Sequence, residues 1–242
     1  MPHLWRVASS FTKTEVAGTD QKVWQSVVSG SWFTLRIALV GLVIGMLVGI
    51  VLAVGMQRFK LVERAWFPYV VLSQTVPLVA LAPILVSVSS RWKIGAWQWP
   101  PWMSVALMAA YLAFFPVAVG TLRGLQSPDA QSLELMSSYA ASSRQTLWKL
   151  RMPAAVPYIL PAMRLAAAAA VVGAIVAELS AAVKGGIGRL ILDYFQRATG
   201  DPARVFTAFI GAAALGLVVA GLVAIAERFL MRNRRRVETG TA

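Results

Sequence analysis

Glu134-Leu-Met-Ser-Ser-Tyr-Ala140, followed by Met152-Pro153 and then by Pro157, is a polar segment between two long apolar runs. The run before it is free of charge from residue 94 to residue 122, and the run after it extends over residues 158–183. A polar, helix-capped segment between two apolar runs is more often a docking surface than a plain connection. The sequence therefore predicts a docking surface in this segment.

The polar segment contains two helix-start signals. Ser127-Pro128-Asp129 places Ser at the N-cap, Pro in the first turn and an acid beside it, which predicts a helix to about Tyr139. Ser142 and Gln145 have the spacing of a capping box, which predicts a second short helix to about residue 150. The segment should therefore be a firm protrusion.

The end of the segment is expected at Pro153 and Pro157, because proline lacks the backbone N–H that continues a helix. Between the two helix starts and this end, Tyr139, Leu147 and Trp148 are predicted to be exposed. Exposed apolar side chains on short helices suit a groove on a partner protein.

The composition is that of a membrane protein. The 242 residues are 58% hydrophobic and 14% charged, whereas a soluble domain has about 25% charged residues. The absence of cysteine excludes disulfides and thiolate metal sites. The single histidine, His3, lies in the polar N-terminal part, so no metal or histidine-based catalytic site is predicted within the spans. The net charge of +13 comes mainly from basic residues at span ends, which argues against a nucleic-acid partner.

About five membrane-spanning helices are predicted, because a bilayer core of about 30 Å needs roughly 20 apolar residues per helix. They are residues 33–57, 65–89, 101–124, 158–183 and 204–230. The chain then divides into an N-terminal tail, a transmembrane domain with a loop, and a basic tail, at residues 1–31, 32–231 (loop 123–157) and 232–242. The first tail is expected either to lie in the membrane interface or to be loosely ordered.

The orientation follows from the basic residues. An odd number of spans puts the termini on opposite sides, and the dense arginine cluster at 232–236 favours a cytoplasmic C-terminus. The prediction is a multi-pass protein of the plasma or inner membrane, with its N-terminus outside and the 123–157 loop in the cytoplasm.

Gly41, Gly45 and Gly49 repeat every four residues on one face of the first span. Small residues allow close approach of two helices in a membrane. Two alternatives stay open: contact with a second copy of the chain, or packing against another helix of the same chain.

The second span combines polar residues with prolines. Gln74, Thr75 and Pro77 are followed by Pro83, and carbonyl groups freed by proline need protein or water partners inside a membrane. This predicts a bent helix beside a polar pathway, with a purely structural kink as the alternative. Phe115, in Phe114-Phe-Pro116, is a weaker candidate of the same kind.

Glu178 is the acidic candidate in the fourth span. Carboxylates at membrane depth are costly and tend to face partners or aqueous cavities. Glu178 therefore either lies near the pathway or is solvated at the outer interface. Arg164 lies 14 positions before it, about 21 Å along a helix, so the two charges are expected near opposite membrane faces.

The polar segment resembles the EAA loop of binding-protein-dependent ABC importer permeases. Glu134 and Pro153 match the spacing of that loop, and Ala140 stands where the family usually has Gly. The resemblance assigns ATPase coupling to Glu134, Ser138, Tyr139, Ala140, Ser142, Leu147, Trp148 and Pro153. Further segments resemble the nitrate, sulfonate and taurine branch: Gln74-Thr-Val-Pro-Leu-Val-Ala-Leu-Ala-Pro83, Phe114-Phe-Pro116, Arg151-Met-Pro-Ala-Ala-Val-Pro-Tyr-Ile159, Ala177-Glu178 and Gly186-Ile-Gly188.

The resemblance implies an all-α type I ABC importer permease fold with a cytoplasmic coupling helix. It implies a second permease chain as a homodimer, two cytoplasmic ATP-binding subunits, an extracytoplasmic solute-binding protein, and a small solute such as a sulfonate, a nitrate-like anion or a vitamin or pyrimidine precursor. The chain has no Gly-x-x-x-x-Gly-Lys-Ser/Thr loop. We therefore expect no enzymatic activity and no cofactor in this chain, with ATP and Mg in the partner.

Two other classes of membrane protein predict different sequence features. An ion-coupled secondary transporter predicts internal repeats and several buried ionisable groups, whereas the spans offer only Arg164 and Glu178. An intramembrane enzyme needs a nucleophile–base pair or a metal cluster at membrane depth, and the predicted spans contain neither.

Overall fold

The computed structural model describes residues 4–15, 22–94, 97–198 and 202–238, and this part of the chain is almost entirely helical. The helices are α1 Leu4–Ser10, α2 Val23–Arg58, α3 Lys60–Ser73, α4 Leu78–Ser89, α5 Pro101–Leu125, α6 Ala130–Ser138, α7 Ser143–Thr146, α8 Met152–Ala181, α9 Ile187–Gln196 and α10 Ala203–Glu238. A π-helical turn, Leu147–Arg151, joins α7 to α8. A small antiparallel hairpin pairs β1 Lys93–Ile94 with β2 Trp97–Gln98.

Four helical stretches in the described part are long and apolar enough to cross a membrane. They are Val23–Arg58, Pro101–Leu125, Ser143–Ala181 and Ala203–Arg228. The pair α3 and α4 makes a fifth span if it is counted as one, although it bends by 95°. The prediction of an all-helical membrane protein with about five spans is therefore confirmed.

The second span is broken rather than merely bent. A single helix over residues 65–89 was expected, but α3 ends at Ser73 and α4 begins at Leu78. Pro77 has no N–H for the helical ladder, and its extended backbone (ψ 112°) turns the chain. The Tyr111 hydroxyl on α5 donates a hydrogen bond to the Ser73 carbonyl at the end of α3. This contact gives one freed carbonyl a protein partner inside the bundle.

The two terminal spans are longer than predicted. α2 begins at Val23, ten residues before the expected start at 33, so residues 23–31 of the predicted tail are helical. α10 continues to Glu238 instead of ending near 230, since no Pro or Gly interrupts the basic stretch of the predicted tail 232–242. The segment before α2 is held to α10, because Arg204 donates to the carbonyls of Glu15 (2.7 Å) and Thr14 (3.2 Å).

α2, α5 and α8 form the centre of the bundle through small residues. A Cβ atom on Gly41 would lie 2.5 Å from the Cβ of Ala109, and one on Gly49 would lie 2.9 Å from the Cβ of Val117. The glycine stripe that includes Gly45 therefore packs against α5 of the same chain, which is one of the two alternatives that the sequence left open. Such backbone contact replaces the hydrophobic driving force that lipid does not provide.

Candidate functional site

The polar segment, residues 126–151, begins with a capped helix. The Asp129 carboxylate accepts a hydrogen bond from the backbone N–H of Ser132 (2.8 Å), so Asp129 is the N-cap of α6. The predicted N-cap, Ser127, is wrong by two positions because its hydroxyl donates to the Gly124 carbonyl at the end of α5. The hydrogen bonds from Ser132 lower the pKa of Asp129 below its usual range.

The turn after α6 depends on Ala140. Its φ angle is +49°, the left-handed conformation that glycine usually supplies. Two backbone bonds close the turn, from Ala140 N to Ser137 O (2.9 Å) and from Ala141 N to Met136 O (3.0 Å). The shape that Gly allows in the EAA pattern is thus present with Ala, at a conformational cost of about 1 kcal/mol.

The capping box that opens α7 is present as predicted. The Ser142 hydroxyl accepts from Gln145 N (3.3 Å), and the Gln145 side chain accepts from Ser142 N (2.8 Å). The predicted stop at Pro153 and Pro157 is wrong, since the helix runs on through the π-helical turn into α8. Pro153 lies in the first turn of α8, directly after the π-helical turn Leu147–Arg151.

The outer surface of the polar segment is formed mainly by the predicted residues. Tyr139 is 76% exposed and Trp148 is 60% exposed. Glu134, Ser138, Ala140, Ser142 and Pro153 are also exposed. Leu147 departs from expectation: it is half-buried and packs on the buried cluster of Ala53, Met56, Leu122, Leu125 and Ala155. Because Leu147 faces its own chain, the surface available to a partner centres on Tyr139 and Trp148.

Two long-range contacts hold the polar segment against the bundle. The Arg151 guanidinium donates to the Leu125 carbonyl at the end of α5 (2.8 Å). The Gln126 side chain donates to the Glu63 carboxylate on α3 (2.9 Å). The protrusion is therefore anchored at its two ends, while its middle makes only local hydrogen bonds.

The break between α3 and α4 exposes polar groups on the protomer. Gln74 is half-buried and donates to the Ser73 hydroxyl (3.3 Å), whereas Thr75 and Pro77 are exposed. The Thr75 hydroxyl donates back to the Leu72 carbonyl (2.8 Å). Phe115 is half-buried on α5, the helix that also carries Tyr111. The predicted pathway residues Gln74, Thr75 and Pro77 thus all lie at the break between α3 and α4.

Glu178 belongs to a buried hydrogen-bonded group that we call the Glu178 cluster: Glu178, Thr34, Gly186, Ile187 and Gly188. The Thr34 hydroxyl lies 2.9 Å from both carboxylate oxygens of Glu178, and Gly188 N–H donates to Oε2 (2.9 Å). Ile187 N–H donates to the Thr34 hydroxyl (2.9 Å). The cluster therefore joins α2, α8 and the start of α9 around one carboxylate.

The structure excludes one of the two alternatives for Glu178. Its side chain is 0% exposed, so it is not solvated at a membrane interface. That Glu178 lies near a pathway between two chains stays a prediction. A Cβ on Gly186 would lie 2.1 Å from the carboxylate, which shows how closely the loop wraps it. The geometry gives Glu178 a positioning role, with its carboxylate paired as buried polar groups require.

Two participants were missed by sequence reasoning. Thr34 is 144 positions from Glu178, and nothing in its neighbourhood signals a polar contact. Glu227 on α10 pairs with Arg164 on α8, whose Nε lies 2.5 Å from a carboxylate oxygen. The Glu227 carboxylate thus balances the positive charge of Arg164, for which the sequence of the span showed no partner.

Four helical stretches long and apolar enough to cross a membrane, a broken span and an anchored polar protrusion indicate an integral membrane protein. The chain belongs to the family of the binding-protein-dependent transport system inner membrane component, whose model matches residues 41–237. A structural relative, described as the crystal structure of an amino acid ABC transporter with histidines, aligns with a TM-score of 0.63 at 20% identity. That alignment covers 86% of this chain and 94% of the other, and it shows the shared fold.

Sequence relatives are named as permeases of different solutes. The formylaminopyrimidine transport permease protein ThiX of Halalkalibacterium halodurans is 38% identical over 68% of this chain and 60% of the relative. The riboflavin transport system permease protein RibX of Chloroflexus aurantiacus is 27% identical over 72% and 61%. The taurine transport system permease protein TauC of Escherichia coli is 25% identical over 88% and 70%. This chain thus spans about 60% of the length of the first of these.

Proposed function

We propose that the chain is the permease subunit of an ABC importer, forming the solute pathway and coupling it to a separate ATPase. The observation that carries the proposal is the polar segment. It presents Tyr139 and Trp148 at a protrusion that is anchored to α3, α5 and α8. Movement imposed on this surface by a partner would be passed directly to helices that cross the membrane.

The assembly that fits this role contains two permease chains, two ATP-binding subunits and a solute-binding protein. The family description, a component of binding-protein-dependent transport systems, supports the last of these partners. ATP and Mg would be held by the ATP-binding subunits. The N-terminus would lie outside the cell, and the polar segment and C-terminus in the cytoplasm, as the basic cluster at 232–236 favours.

The pathway is proposed to run past the break between α3 and α4. Thr75 and Pro77 are exposed on the protomer, and the break leaves backbone groups outside a regular helix. Such backbone is tolerated at membrane depth only against protein or a water-filled cavity. A second copy of the chain facing this break would enclose such a cavity, with Gln74, Thr75, Pro77 and Phe115 near it.

The solute is proposed to be small and rich in hydrogen-bonding groups, with a vitamin or pyrimidine precursor ahead of a sulfonate or a nitrate-like anion. Two observations support this order. The relative at 38% identity is named for a formylaminopyrimidine. The polar groups at the break are an amide and a hydroxyl, and the cation within α8, Arg164, is paired with Glu227. A free anion would meet no unpaired cation at the described break.

The coupling role is tested with Glu134→Lys and Tyr139→Ala in the complete transport complex. Both side chains are exposed, so the fold should tolerate the changes within about 0.5 kcal/mol. We expect the ATP-binding subunits to co-purify less, and solute uptake to fall at least tenfold. The matched control is Gln131→Ala, an exposed residue at the start of the same helix. Wild-type uptake in both variants would overturn the assignment of this surface.

The energy source separates an ABC importer from an ion-coupled transporter. Uptake of radiolabelled pyrimidine precursor and of taurine is measured in vesicles loaded with ATP, with and without ionophores that collapse ion gradients. An ABC importer keeps its uptake when the gradients are removed and loses it without ATP. The opposite pattern would remove the proposed function and favour a secondary transporter.

The orientation is tested by single cysteines, for which the cysteine-free chain gives a clean background. Ala8→Cys and Ser143→Cys both lie at exposed positions. An impermeant thiol reagent added outside intact cells should label the first and spare the second. Reversed labelling would contradict the proposed orientation while leaving the family membership intact.

A further inference from the structure

A cleft between α2 and α5 combines apolar walls with a cation. This cleft, which we call the interfacial cleft, has a volume of about 290 Å³ and is lined by Phe33, Arg36, Ile37, Val40 and Trp102. A neighbouring cavity of about 370 Å³ shares Phe33 and Trp102 with it and extends to Lys184. The two cavities thus share Phe33 and Trp102, and each has a cation in its lining.

The position of the cleft along the bundle is defined by Arg36. Residues 37–56, which follow it directly, are free of charge and long enough to cross a bilayer core of about 30 Å. α2 and α5 run parallel, since Gly41 meets Ala109 and Gly49 meets Val117. Arg36 and Trp102 therefore lie at the same end of the two spans. Arg and Trp at such a position are typical of the membrane–water interface.

The two cations have no acidic partner in the described part of the chain. The Arg36 guanidinium stacks over the Trp32 ring at 5.3 Å, and its side chain is otherwise exposed. Lys184 is also exposed. The carboxylates described at this end are engaged elsewhere: Glu15 with Ser26, Asp193 with Arg189, and Glu178 within its cluster. Two positive charges thus remain for a group from outside the chain.

We propose that the interfacial cleft binds an anionic phospholipid. The phosphate would bind Arg36 at the cleft, Lys184 of the neighbouring cavity would add its positive charge, and an acyl chain would follow Ile37 and Val40 along α2. A lipid fits because apolar walls take the chain while the cations take the phosphate, and the cleft lies at the depth where headgroup and chain meet. Phosphatidylglycerol should bind more tightly than phosphatidylcholine, whose headgroup cation would oppose Arg36 and Lys184.

The test is native mass spectrometry of the full-length chain in detergent, titrated with phosphatidylglycerol or phosphatidylcholine. We expect preferential binding of phosphatidylglycerol, weakened about fivefold by Arg36→Gln or Lys184→Gln and about 25-fold by both, because each cation near the headgroup contributes a factor of that size. The matched control is Arg58→Gln. Arg58 lies at the opposite end of α2 and also stacks on an aromatic ring, Phe59, at 5.4 Å.

Three outcomes would overturn the proposal. Equal losses in Arg36→Gln and Arg58→Gln would indicate non-specific attraction by surface charge. Binding of glycerol phosphate, which has no acyl chain, as tightly as phosphatidylglycerol would indicate a site for soluble anions. Efficient disulfide formation between two copies carrying Val40→Cys would show that a second chain covers the cleft. Helix content and gel-filtration profile check the fold of each variant, and a short-chain phosphatidylglycerol titration of Lys184→Gln serves if Arg36→Gln misfolds.

Discussion

The polar segment and the region of the Glu178 cluster each have an alanine in the left-handed conformation, and different kinds of hydrogen bond surround the two alanines. Ala140 lies in the polar segment at φ +49°, and Ala182 lies beside the Glu178 cluster, at the end of α8, at φ +52°. In the polar segment the neighbouring hydrogen bonds join residues three to five positions apart. In the Glu178 cluster they join residues 10, 144 and 153 positions apart. The first region is held by local caps and the second by the tertiary structure.

This difference has a mechanical consequence. A surface held by local bonds keeps its shape wherever it moves, as a segment that contacts a partner must. The Glu178 cluster instead fixes three elements relative to one another, because its carboxylate is buried and any separation would leave it unpaired. We therefore expect changes in the cluster to affect the whole fold, and changes in the polar segment to affect coupling or local order.

The largest effect is expected from Gly186→Ala. The added Cβ would lie 2.1 Å from the Glu178 carboxylate, so the loop or α8 must shift. The backbone at Gly186 (φ −94°) accepts alanine, which makes the effect purely steric. We expect the free energy of unfolding in detergent to fall by about 3 kcal/mol. Gly216→Ala, in α10 with nothing within 4 Å of the new atom, is the control and should not destabilise; alanine inside a helix should raise the free energy of unfolding by up to about 1 kcal/mol.

The next effect concerns the hydroxyl of Thr34. Thr34→Val keeps the shape and removes the hydrogen bond to Glu178, so we expect a loss of about 2 kcal/mol. Thr121→Val is the matched control, because the Thr121 hydroxyl is also buried and finds no partner among the described residues. Denaturant titration of both variants compares them directly. Equal losses would show that the hydrogen bond to Glu178 is not what holds α2, α8 and α9 together.

A smaller and local effect is expected from Ser142→Ala. Removal of the capping hydroxyl should cost the start of α7 about 1 kcal/mol. Hydrogen exchange should speed up at residues 143–146 and stay unchanged at 186–188. Ser143→Ala, one position on and outside the capping box, is the control. Faster exchange that reaches residues 186–188 would contradict the separation of the two regions.

The smallest effect sharpens the comparison of the two alanines. Glycine at a left-handed position gains about 1 kcal/mol of relief, and loses roughly half of that through the greater freedom of the unfolded chain. Ala182→Gly should therefore raise the global free energy of unfolding by about 0.5 kcal/mol. Ala140→Gly should slow exchange only around its own turn. Global stabilisation by both variants to the same degree would show that the polar segment unfolds together with the bundle.

The sequence by itself determined the features that depend on neighbours along the chain. The four long spans follow from apolar length, since the bilayer requires about 20 such residues. The capping box at the start of α7 follows from the side chains of Ser142 and Gln145, each of which bonds to the backbone of the other.

The tertiary structure alone decided the features that depend on distant partners. Thr34 becomes the partner of Glu178 only because α2 and α8 pack together. The break at Pro77 is a 95° turn rather than a kink, and the Ser73 carbonyl at that break finds Tyr111 across the bundle. Leu147 turns inward because a buried cluster accepts it. Sequence periodicity and capping signals reflect interactions within about one helical turn. The contacts of Thr34, Tyr111 and Leu147 instead form only when distant parts of the chain pack together.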